Sequence, residues 1–116
     1  MYKLSYKTHF DAAHKLELDY SSPCQRLHGH RWNVVVEIVS KNLDRNGMII
    51  DFKKIKNLVN ELDHRYLNEV LDFNPTAENI AKYLYNKIAD EVLGKVKVTV
   101  YESPDASITY ENEETF

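Results

Sequence analysis

A chain of 116 residues with 43% hydrophobic side chains carries enough apolar surface for one core and too little for two, so one domain over residues 1–116 is expected. The net charge of -3 and pI near 5.9 exclude the broad basic face with which nucleic-acid binders neutralise phosphates. A single cysteine excludes an internal disulfide, and no run is long and apolar enough for a membrane span or a signal h-region, which predicts a soluble, cytoplasmic protein.

From Tyr2 to Phe10 the residues alternate, with Tyr2, Leu4, Tyr6, Thr8 and Phe10 on one side and Lys3, Ser5, Lys7 and His9 on the other. That period predicts a half-buried strand. After an irregular segment with Ser21, Ser22 and Pro23, the run Arg31 to Ser40 predicts a second strand with Trp32, Val34, Val36 and Ile38 on one face. Residues 42–47 read as a polar turn. Asp51 then caps a helix whose stripe is Phe52, Ile55, Leu58, Val59 and Leu62. Asn74-Pro75-Thr76 starts a second helix, with Thr76 as N-cap, Glu78 in the first turn, Ile80, Ala81, Leu84 and Ile88 as its stripe, and Gly94 as its stop. Lys95 to Glu102 alternates again, Ser103-Pro104-Asp105 turns the chain, and a short last strand surrounds Ile108 and Tyr110. The acidic end, Glu111 to Phe116, is expected to fray.

The order ββααββ predicts an α+β fold, a four-stranded antiparallel sheet with both helices on one face. Such a sheet keeps two edges and one rather polar face. Joining sheets side by side into an oligomeric barrel would pair the edges and give the polar face a watery lumen. Oligomerisation is the expectation.

The stretch CQRLHGHRW holds the chemistry. Alternate strand residues share a face, so His28 and His30 project together while Gly29 points away and leaves that side uncrowded. Two neutral imidazoles at this spacing can grip one metal ion, and a catalytic zinc site commonly takes three protein ligands with a fourth position open. The candidates for the third are His9, His14, His64 and Cys24; His14 follows strand one at the end that an antiparallel neighbour brings to the start of strand two, which favours it. Any single histidine is more often a surface or satisfied core residue, and a lone buried cysteine more often a small hydrophobe. The H-x-H pair with a third histidine at the matching end outweighs the first alternative, and the place of Cys24 in a Pro-containing loop weakens the second. Trp32 and the eight tyrosines are read as core and interface residues.

Asp63-His64 follows the first helix. It reads plainly as a solvated helix end, and more sharply as a pair in which Asp63 orients His64 as a general acid or base. Glu102 continues the apolar stripe of Val96, Val98 and Val100, where an unpaired carboxylate is costly. Either the strand has ended and Glu102 reaches water, or it waits for a ligand with complementary donors.

Taken together, FDAAH, CQRLHGH, GMIIDF, LDHRYLN, NPTAENIA and YES, spread in order from Phe10 to Glu102, resemble the 6-pyruvoyl-tetrahydropterin synthase family of the tunnelling fold. The three-residue gap between Cys24 and His28 is similar to that of its 6-carboxy-5,6,7,8-tetrahydropterin synthase branch, which serves 7-deazaguanine (queuosine) synthesis; the pyruvoyl branch has a longer gap, and hydroxymethylpterin-forming branches usually carry glutamate in place of the cysteine. The resemblance implies 7,8-dihydroneopterin triphosphate as substrate, zinc held by His14, His28 and His30, and Cys24 as the base. It also implies His64 oriented by Asp63, Glu102 on the N2/N3 edge of the pterin, and loss of acetaldehyde and triphosphate. The assembly it implies is a homohexamer of two stacked trimers, with active sites between subunits and Thr76 lining the pocket of a neighbouring chain. A sister pterin activity and a non-enzymatic structural zinc module, with Cys24 as fourth ligand, stay open as alternatives.

Overall fold

The computed structural model describes residues 1–112 of the chain. The N-terminal alternation runs further than its apolar residues reach: β1 spans Tyr2–His14 and β2 spans His28–Ser40, paired antiparallel from Tyr2 opposite Ser40 to His14 opposite His28. Past Phe10 and before Arg31 the small and polar residues carry no apolar alternation. Pairing with the facing strand keeps those residues extended.

Asp51 caps α1 (Phe52–Asn60), its side chain accepting from the Lys53 amide at 2.9 Å. The chain next forms β3 (Arg65–Tyr66) and a single turn of helix, α2 (Leu67–Val70), before α3 (Ala77–Ala89), whose cap is Thr76 accepting from the Asn79 amide at 3.1 Å. β4 (Lys95–Ser103) and β5 (Ala106–Glu111) close the order. The sheet therefore has five strands rather than the expected four, ordered β3-β1-β2-β4-β5, because two residues after α1 lie parallel along β1 at Ala12 and Ala13. Two residues leave no periodicity to read, and neither does the short α2.

One apolar cluster joins the sheet and the helices. Phe10, Trp32, Val34, Val36, Ile38, Val96, Val98 and Val100 meet Ile55 and Val59 of α1 and Ile80, Leu84 and Ile88 of α3. Burying each such side chain contributes about 1.5–3 kcal/mol, which overrides local preference and holds both helices to this face. The other face, with Lys3, Ser5, Lys7 and His9, is exposed as the alternation predicts. The sheet is open, with β5 at one edge and β1 covered at the other only near Ala12 and Ala13.

Gly94 does not stop α3. That helix ends at Ala89, with Asp90 still in the right-handed region as its C-cap. Gly94 instead allows a close approach at the entry to β4, since a Cβ there would stand 2.5 Å from the Val39 carbonyl oxygen. Of the acidic end, Glu111 belongs to β5, and residues 113–116 lie outside the described residues.

Candidate functional site

Hairpin register builds the site. His14 faces His28, Ala12 faces His30, and all three histidines lie on the helix-facing side, where their ligand nitrogens fall within 4.8 Å of one another. Among the described residues this trio forms without Cys24. Of the four candidates for third ligand, the structure brings His14 to the pair.

Each Nδ1 of the trio faces a backbone carbonyl: His14 that of Pro75 at 2.9 Å, His28 that of Arg26 at 2.7 Å, His30 that of Arg31 at 3.1 Å. A carbonyl only accepts, so each Nδ1 donates and each neutral ring turns an Nε2 lone pair inward. His14 Nε2 and His30 Nε2 stand 3.3 Å apart. Two facing lone pairs at that distance call for a cation between them. A proton is disfavoured at His14, which is fully buried and whose pKa burial pushes below the usual imidazole value of 6.5. The distance is close to the edge of a tetrahedron of nitrogens about 2.0–2.1 Å from a central ion. The residues therefore fit a divalent metal, with outer carbonyls fixing the tautomers as ligating histidines require.

The surroundings include groups that no spacing in the sequence ties to the site. Pro75, beside the Thr76 cap, is buried and supplies the carbonyl under His14. Asn68 exchanges two hydrogen bonds with the Lys15 backbone, and Asn74 two with that of Glu17, so amide side chains take the place of a strand and hold the chain as it leaves His14. Trp32 packs edge-on to His14, with centroids 4.8 Å apart, and lies against His30 at 4.4 Å. Gly29 gives no relief of crowding within this chain, because a Cβ there would have ordinary contacts at 3.8 Å.

Cys24 is exposed in the 3-10 turn Pro23–Gln25, which Ser22 and Gln25 close with a capping box. Its carbonyl accepts from the Leu16 amide at 2.8 Å, which fixes the loop against the segment two residues past His14. Glu102 is the extra residue of a bulge in β4, between Tyr101 opposite Ser107 and Ser103 opposite Ala106. Its Oε1 lies 3.8 Å from His14 Nε2, and its side chain is 40% exposed. Thus it neither sits in the apolar core nor simply leaves it; the bulge aims it at the rim of the trio.

Asp63 and His64 form a pair, with His64 Nδ1 2.7 Å from Asp63 Oδ2. Asp63 Oδ1 also accepts the Asp11 amide at 2.8 Å, and these two bonds, the Asp11 one foremost, hold the Asp63 carboxyl below its usual range. The His64 amide in turn donates to the Asp11 carbonyl at 2.6 Å. Among the described residues His64 alone is a non-glycine at positive φ, 58°. The left-handed region costs such a residue about 1–2 kcal/mol and persists where neighbouring bonds over-determine it.

The 6-pyruvoyl tetrahydropterin synthase family model matches residues 3–113. The chain is 31% identical to the 6-carboxy-5,6,7,8-tetrahydropterin synthase of Bacillus subtilis over 123 residues, covering 94% of this chain and 84% of that protein. It is 37% identical to the dihydroneopterin monophosphate aldolase of Pyrococcus furiosus over 100 residues, covering 83% of this chain and 82% of that protein. The structure of Caenorhabditis elegans 6-pyruvoyl tetrahydropterin synthase superposes with a TM-score of 0.76 at 25% identity, over 97% of this chain and 96% of that one.

Proposed function

The chain belongs to the 6-pyruvoyl tetrahydropterin synthase family, and from that premise we propose that it is a pterin side-chain lyase. In its finer form the proposal is a cytoplasmic, zinc-dependent 6-carboxy-5,6,7,8-tetrahydropterin synthase of 7-deazaguanine (queuosine) synthesis. It converts 7,8-dihydroneopterin triphosphate and water to 6-carboxytetrahydropterin, acetaldehyde and triphosphate. The observation that carries the reading is the trio His14, His28 and His30, each with Nδ1 held by a carbonyl and Nε2 turned inward.

Bound there, zinc supplies the Lewis acidity that makes side-chain hydroxyls easier to deprotonate. Cys24, outside the ligand set, removes a proton from the substrate side chain. Asp63 orients His64, which handles the proton at the neighbouring carbon. The Glu102 carboxylate accepts from the N2/N3 edge of the pterin, a bidentate charge-assisted arrangement. Thr76 lines the pterin pocket of a neighbouring chain in a hexamer of two stacked trimers. The open edges of β1 and β5 support that assembly, since unpaired edges invite pairing.

A second reading, aldol cleavage of dihydroneopterin monophosphate to a hydroxymethylpterin, is favoured by the likeness to the Pyrococcus furiosus aldolase. The alignment with the Bacillus subtilis protein is longer than this chain, so that relative carries residues lacking here. The gap between Cys24 and His28 favours the carboxy reading. Incubating the zinc-loaded protein with each pterin and identifying product and aldehyde by mass decides between them. Carboxypterin with acetaldehyde is expected, and hydroxymethylpterin or pyruvoyl product alone would sink the carboxy reading.

A further inference from the structure

The Asp63–His64 pair hangs on Asp11, a residue of the FDAAH stretch to which no role in the site is assigned above. Both backbone groups of Asp11 serve it, the amide donating to Asp63 Oδ1 at 2.8 Å and the carbonyl accepting from the strained His64 amide at 2.6 Å. The Asp11 side chain leaves on the opposite face of the sheet from His14. There Arg31, its cross-strand partner, grips it with two donors, Nε to Oδ1 at 3.0 Å and Nη2 to Oδ2 at 3.3 Å. Arg31 follows His30, whose Nδ1 donates to the Arg31 carbonyl. One rung of the hairpin thus joins a metal-site histidine to the acid–base pair.

We infer that Arg31 and Asp11 are positioning residues, a clamp that fixes the Asp63–His64 pair relative to the histidine trio. The clamp is exposed, with side chains 55% and 42% accessible, and exposed ion pairs add little to stability. A bidentate fork instead gives geometric definition. Definition is what a histidine at φ 58° needs, because its conformation is kept only by the bonds around it. Asp11 is held below its usual carboxyl range first by the Arg31 hydrogen bond, so the rung stays charged on both sides at neutral pH.

The inference rests on the proposed acid–base role of Asp63 and His64, and its test separates the two. Arg31→Gln and Asp11→Asn each keep the backbone bonds possible and remove the grip. Each is expected to lower kcat about tenfold with KM within about twofold, as a small misplacement does. Bound zinc should stay at the wild-type stoichiometry, and the His64 amide should exchange with solvent about tenfold faster as its opening becomes easier.

The pH–rate profile gives the readout that loss of stability would not move. The titratable or charged groups around the pair are His9 and Asp11 on β1 and Arg31 on β2, with Arg65 next in the chain. Arg31→Gln leaves the Asp11 carboxylate uncompensated beside the pair and should shift its limb to higher pH; Asp11→Asn leaves the guanidinium uncompensated and should shift it lower. The double variant should fall between. If His64→Ala is inactive while both clamp variants keep wild-type kcat and profile, the clamp is overturned and the pair stands. If His64→Ala turns over normally, the pair and the clamp fall together.

Discussion

Glu102 Oε1 stands 3.8 Å from His14 Nε2, brought there by the bulge that takes this one residue out of the β4–β5 ladder. Its neighbour two residues earlier, Val100, is fully buried in the core. A carboxylate at that rim can steady a cation on the histidines and still turn to a ligand. Glu102→Gln is expected to weaken binding of a dihydropterin about 10- to 100-fold, the scale of a lost charge-assisted hydrogen bond, while zinc is retained. Calorimetric titration with the pterin reads this, and unchanged affinity would remove Glu102 from the pterin site.

Cys24→Ala should keep zinc and lose turnover, since the inward-facing trio assembles without the thiol. Metal analysis beside a turnover assay checks both halves. Zinc leaving with the thiol would instead mark a closed site of four ligands.

His14→Ala should abolish tight zinc binding, because the buried ring supplies the nitrogen facing His30. Chelation of the wild-type protein should stop turnover while circular dichroism and assembly size largely persist, because the apolar cluster that joins sheet and helices contains none of the three ligands, although Trp32 touches two of them. Unfolding on chelation would favour the structural zinc module.

Gly94→Ala is expected to destabilise the fold by about 1–3 kcal/mol, the usual cost of forced overpacking. The new Cβ would meet backbone, the Val39 carbonyl oxygen at 2.5 Å, with Ile38 Cγ2 at 3.0 Å behind it. Gly29→Ala meets nothing closer than 3.8 Å and should stay within about 0.5 kcal/mol, the range of ordinary surface changes. Urea midpoints of the two variants make the comparison.

Asp11 and Asp63 both have carboxyls held below 3.8, by the Arg31 bond and by the Asp11 amide respectively. A carboxyl lowered in the folded state contributes stability that is complete above its unfolded value and lost as pH falls through the lowered one. Asp63→Asn should therefore flatten the fall of stability below about pH 4, followed by urea unfolding across acid pH. An unchanged slope would mean that the Asp11 amide bond is absent in solution.

The sequence was readable wherever a period ran long enough. The alternation from Leu4 through Phe10 and from Trp32, Ile55 and Val59 of α1, the stripe of α3 and both helix caps appear in the structure as expected. The reason is that burial of one face rewards a regular spacing of apolar side chains. Tyr2 and Phe52 are instead exposed, and Leu62 is buried just past the end of α1. The ends of β1 and β2, the two residues of β3 and the single turn of α2 carry no such period, and partner strands and packing define them. Gly94 differs from its expected role because a glycine needed for close approach looks in sequence like one that ends a helix.

By itself the sequence determined the two-faced sheet, the helices that cover it, and the pairing of His28 with His30, because strand parity is a local property of the backbone. Strand order already favours His14 as the third ligand, and tertiary structure alone decided that the Pro75 carbonyl sets its tautomer, that a bulge aims Glu102, and that Asp11 carries the Asp63–His64 pair. These contacts join residues distant along the chain. Their geometry depends on register and loop path, which no local spacing encodes.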